Sequence, residues 1–113
     1  MLNINALREW SEKHSVEKRT IKWFWRNLTS YEQEEKEEFL EVFGEDFNKL
    51  NLKIALNKIA LYIDEWNKDS DSSYGYDYVI SYVPIVYNGE KIGEYRLLFT
   101  LDGESFDDFF VIY

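Results

Sequence analysis

The feature that most constrains this chain is a change in its apolar period. Up to about residue 67 hydrophobic residues recur at helical spacing, whereas from residue 78 they fall in extended, β-branched and aromatic runs. The later half carries the strongest short hairpin signal. Asn88-Gly89 lies between the runs 78–87 and 92–101, and Asp102-Gly103 makes a second turn into 106–113. These residues predict a three-stranded antiparallel meander. In its middle strand Tyr95, Leu97, Phe99 and Leu101 alternate with Glu94, Arg96, Leu98 and Thr100, so the first set should pack on helices and the second should form a mixed, open face. Pro84 cannot donate to a ladder, which predicts that the first strand is an edge strand or bulged.

The earlier half reads as four helices. Asn3 or Asn5 can cap a short helix bearing Leu7 and Trp10, which ends near His14. Ser15 then caps a second, in which Ile21, Phe24, Trp25 and Leu28 form the core face. Thr29-x-x-Glu32 and Ser30-x-x-Gln33 both read as capping boxes, so a third helix is expected to start there and stop at Gly44. Leu52, Ala55, Leu56, Ile59, Ile63 and Trp66 recur at helical spacing and predict a central core helix over 51–67. The expected fold is one α+β domain spanning 1–113. It consists of four N-terminal helices (1–67), a Ser-, Asp- and Gly-rich linker (68–77) and a C-terminal three-stranded antiparallel meander (78–113) packed on the helices.

Charge narrows the partners. Thirteen basic against twenty-two acidic residues give a net charge of −9, which repels nucleic-acid phosphates and anionic lipid and attracts basic protein surfaces. Residues 29–46 hold eight acidic and one basic side chain, while 1–28 hold six basic and three acidic. No apolar stretch approaches the ~20 residues that span a bilayer, and there is no cysteine for a disulfide or thiolate site. With no leader-like start, a cytoplasmic protein with no membrane partner is expected.

Catalytic constellations are sparse. His14 is the single histidine and sits at a helix end, where a surface role is the plain reading. The five glycines are scattered, so no nucleotide cradle forms and no cofactor is expected. Asp69-x-Asp71-x-Ser73 with Gly75 departs from a calcium loop in its glycine position and in having Ile80 where a bidentate Glu belongs. Asp102, Glu104, Asp107 and Asp108 around the second turn could hold a cation or act as paired carboxylates, with a solvated turn as the plain alternative. No metal site and no catalytic residue is assigned.

Two anomalies remain. Phe39, Val42 and Phe43 define the buried side of the third helix, and its first two turns carry Glu32, Glu34, Glu35, Glu37 and Glu38 as a solvated column of like charge. Trp23 lies off the core face of the second helix, four residues after Arg19 and three before Arg26, an arrangement typical of interface hot spots and stacking sites. Together these residues form the expected partner-binding surface. The expected function is that of a non-enzymatic acidic protein docking on a basic protein, in the manner of inhibitors, immunity proteins and anti-defence proteins. A second reading is a ligand-binding or enzymatic domain with a pocket between sheet and helices lined by Tyr76, Tyr78, Tyr82 and Tyr95. The third is a structural protein that forms a homodimer through the open sheet face, with Leu98 among the contacts.

Overall fold

The computed structural model describes residues 2–64, 66 and 74–113. Three helices, α1 (Ile4–Lys13), α2 (Val16–Glu34) and α3 (Lys36–Phe43), lead through a 3-10 turn at Lys49–Asn51 into five strands. These are β1 (Leu52–Ile54), β2 (Lys58–Tyr62), β3 (Tyr78–Tyr87), β4 (Glu90–Thr100) and β5 (Ser105–Ile112). The meander β3-β4-β5 is as expected, with Tyr87 opposite Glu90 across the two-residue Asn88-Gly89 turn. Asn88 and Gly89 both take positive φ, 50° and 82°, as a tight right-twisted hairpin requires.

The expected fourth helix does not form. Its residues instead make β1 and β2, which pair antiparallel with two successive stretches of β3, Ile85–Tyr87 and Tyr78–Tyr82. The physical reason lies in β3. Val79, Ile80, Ser81, Tyr82, Val83 and Ile85 are all buried, so this strand is covered on both faces and needs a hydrogen-bonding neighbour on each side. Leu52–Ile54 and Lys58–Tyr62 supply the second neighbour, and tertiary pairing overrides the local helical period.

Pro84 therefore sits in an internal strand, not at an edge. Asn57 N–H donates to the Tyr82 carbonyl at 3.0 Å, so the backbone polar groups of Tyr82, and of Pro84 two residues on, face β1 and β2. The outer strand is broken at that point. Ala55, Leu56 and Asn57 bulge opposite Val83 and Pro84, since Ile54 pairs with Ile85 and Lys58 with Tyr82. The missing N–H of Pro84 is matched by an interrupted neighbour, which is how a proline is tolerated there.

Two further boundaries differ from expectation. α2 continues through the proposed start of the third helix, and Thr29 Oγ1 donates back to the Trp25 carbonyl at 2.9 Å instead of capping. Ser15 occupies the N-cap position of α2 in a left-handed conformation (φ 51°) and makes no side-chain cap. The calcium-like loop and most of the expected linker lie outside the described residues, which leaves Tyr74–Asp77 of that stretch in view.

The main core lies between the helices and one face of the sheet. Val16, Thr20, Phe24 and Leu28 form the buried line of α2, meeting Val79, Val83, Tyr95, Leu97 and Phe99. Ile21 and Trp25, expected at the centre, are only partly buried because α2 is turned toward Thr20, whose hydroxyl meets Ser81 Oγ at 2.7 Å and donates to the Val16 carbonyl at 2.6 Å. The opposite face of the sheet is not open. Ile80, Tyr82 and Leu98 are buried there beneath Ala60, Tyr62, Tyr78 and Phe106.

Candidate functional site

The five glutamates lie on a helical elbow and not along one helix. Glu32 and Glu34 end α2, Glu35 (φ −124°, ψ 53°) forms the break, and Glu37 and Glu38 occupy the first turn of α3. The elbow is held by its backbone. Glu35 N–H donates to the Tyr31 carbonyl at 2.9 Å, and the Glu35 carbonyl accepts from Phe39 N–H at 2.9 Å. All five side chains are exposed, as are Glu41, Glu45 and Asp46 beyond them. None forms an ion pair with a described residue, where Arg96 with Glu94 is the single pair.

Beneath the carboxylates is a rigid aromatic floor. Phe39 lies 4.7 Å from Phe43, 5.0 Å from Phe47 and 5.8 Å from Tyr31, ring centre to ring centre. Burial and then the neighbouring Glu38 carboxylate raise the Tyr31 hydroxyl above the usual tyrosine pKa. A shallow groove of about 450 Å³ runs between the end of α2 and α3, with Phe39, Leu40 and Phe47 on its walls and Glu32, Lys36 and Glu45 around it. The elbow thus offers apolar contact ringed mainly by negative charge.

The Trp23 group is divided. Arg26 stacks on Trp23, its guanidinium carbon 4.9 Å from the ring centre, and Trp23 is half-covered by the core. Arg19 turns the other way. Its Nη1 donates to the carbonyls of Gly103 at 2.7 Å and His14 at 3.2 Å, and its guanidinium covers Phe99 at 4.9 Å. Arg19 therefore fastens the β4-β5 turn to the α1-α2 corner. Trp10 helps, donating from Nε1 to the Leu101 carbonyl at 2.9 Å. His14 closes the same corner, against Trp10 at 4.8 Å and against Gly103.

The tyrosines do not line one pocket. Tyr76 and Tyr78 pack on Phe106, and Tyr82 meets the Tyr62 hydroxyl, on the face of the sheet away from the helices. Tyr95 is buried on the helix face, where its hydroxyl donates to Asp108 Oδ2 at 2.9 Å and accepts from Asn27 Nδ2 at 3.1 Å. Asn27 Nδ2 also reaches Asp108, a helix-to-sheet polar link that has no signal in hydrophobic spacing. Burial, then Asp108, raises the Tyr95 hydroxyl far above the ordinary tyrosine range.

Asp107 projects to the other face, where it accepts from the Tyr74 hydroxyl at 3.3 Å. Neighbouring acids on opposite faces of one strand cannot share a cation or a proton, so Asp107 and Asp108 do not form a carboxylate pair. Leu98 is equally withdrawn: it is 1% exposed and is not a contact for a second copy. Among the described residues no cluster of acids and histidine is arranged to hold a metal, and no helix is long and apolar enough to cross a membrane. No protein-family model, no curated protein and no solved structure matches this chain.

Proposed function

We propose that this protein is a non-enzymatic binding protein that docks the acidic α2-α3 elbow onto a basic protein surface. The observation that carries the reading is the exposure of Glu32, Glu34, Glu35, Glu37 and Glu38 with no ion pair among the described residues, mounted on packed aromatic rings. Five carboxylates with only Lys36 among them repel one another, a standing cost that a cationic partner removes. The rigid floor adds apolar contact at little ordering cost, and Trp23 under Arg26 extends the surface along α2. Inhibitors and immunity proteins act by this kind of electrostatically steered docking.

Affinity capture with the intact chain tests the reading. At low salt the wild-type bait should retain a basic protein that is released as salt rises, and Glu34→Lys/Glu35→Lys/Glu38→Lys should retain little of it. A partner retained equally by the triple variant would place the docking surface elsewhere.

A further inference from the structure

The sheet has an open edge beside a groove, and the two have the geometry of a receptor for an extended peptide. β2 pairs on one side with β3 alone. Because Tyr82 faces β2 and is the Cα partner of Lys58, the backbone polar groups of Lys58, Ala60 and Tyr62 face β3, and those of Ile59 and Leu61 face outward. These outward groups are free of protein partners among the described residues. Natural edges of this kind are usually shortened, charged or covered, because they template further strands.

Next to this edge runs a groove of about 580 Å³, between α1, the start of α2 and the β1-β2 break. Its apolar lining is Ile4, Leu7, Val16, Leu56 and Ile59, of which Ile4 is exposed and Leu7, Leu56 and Ile59 remain partly so. Arg8, Lys18 and Lys58 outnumber Glu12 and Glu17 around it. The edge segment 49–62 itself carries Lys49, Lys53 and Lys58 and no acid, in a chain of net charge −9. An edge of this sign does not suit the basic partner proposed for the elbow.

We propose that this edge and groove bind an extended, acidic segment of a partner protein by strand addition. Main-chain bonds to Ile59 and Leu61 supply the pairing. Alternate apolar side chains of the added strand enter the groove beside Ile59, and the intervening acidic ones meet Lys58 on the other face. This surface lies apart from the elbow and is independent of it.

The test uses the intact chain and an end-capped seven-residue synthetic peptide alternating Val and Glu, followed by amide NMR shifts. Shifts should concentrate at Ile59 and Leu61 and around Leu7 and Val16. Replacing the peptide's Glu with Lys should weaken binding at least tenfold. N-methylation of one alternate set of peptide residues should abolish binding while the other set tolerates it, since only one set points its N–H groups at the edge. Leu61→Pro removes an outward donor and leaves the β3 ladder intact, so it should also abolish binding with an unchanged spectrum elsewhere. Equal effects of the two methylation patterns, or no shifts at the edge at millimolar peptide, would overturn the proposal. So would concentration-dependent self-association that Leu61→Pro removes, because the occupant would then be a second copy.

Discussion

Single residues explain why several polar side chains are where they are. Gly103 has a φ of 91°, and a Cβ there would lie 2.2 Å from His14 Nδ1. Gly103→Ala should therefore cost more than the ~1–2 kcal/mol of a left-handed L-residue. Adding His14→Ala should recover the steric part and leave the backbone part, which denaturant titration of the two variants will separate. The Arg96–Glu94 pair (2.9 Å) also changes what the strand pattern suggests. Phe99, fully buried, should lose ~3–5 kcal/mol on truncation to Ala. Arg96 is 39% exposed, yet its removal strands a Glu94 side chain that is 8% exposed, so Arg96→Ala should cost about 1–2 kcal/mol instead of nothing.

The tyrosines give the fold an alkaline limit. Burial, then the Tyr62 hydroxyl, pushes the Tyr82 hydroxyl up to about 12, and Tyr95 is held higher still. Both are raised above their unfolded value near 10, so the unfolded chain loses these protons first and binds fewer than the native one. Their contribution is complete below pH ~10 and is lost as pH rises through the folded values. Stability measured from pH 9 to 12 should fall, and Tyr95→Phe should flatten the slope; an unchanged slope would remove Tyr95 from this account.

At the scale of elements, what was legible depended on which interactions are local. The Asn88-Gly89 hairpin, the Asn3 cap and the Gly44 stop are readable because each is fixed by neighbouring residues, and each is present. The β4 alternation holds only in part, since Tyr95, Leu97 and Phe99 are buried as expected but Glu94 and Leu98 of the other face are buried too and Leu101 is exposed. The segment 51–67 was misread because its spacing suits a helix, while its actual partner, β3, is far away in sequence. One clue was available. The near-continuous apolar run of β3 signals a strand covered on both faces, and Pro84 outweighed that clue by pointing to an edge. The elbow was half legible: the acidic run and its exposure followed from sequence, but the break at Glu35 did not, since two capping signals pointed to Thr29 and Ser30. The break makes opposite predictions for similar residues. Glu34 sits at the negative end of α2 and Glu37 at the positive end of α3, so Glu34→Lys should raise stability by a few tenths of a kcal/mol and Glu37→Lys should lower it similarly. The same sign for both would mean that one continuous helix runs through Glu35.

For the whole molecule, charge and shape are segregated. The acidic elbow packs through Tyr31 and Phe39 onto the main core, and the aromatic far face of the sheet is closed over Leu98. Neither the charge of the elbow nor its exposure contributes to holding the fold, so reversing Glu34, Glu35 and Glu38 should leave stability within about 0.5 kcal/mol of wild type. Arg19 could not be assigned from sequence, because its contacts are carbonyls brought to it by the β4-β5 turn. The central claim is that these carboxylates steer a basic partner, and its most direct test is the association rate with the captured partner as a function of ionic strength. The account predicts fast association of the wild type at low salt, strong slowing by Glu34→Lys/Glu35→Lys/Glu38→Lys, and convergence of the two as salt screens charges beyond ~10 Å. Association rates that are equal for the two proteins at low salt would contradict it.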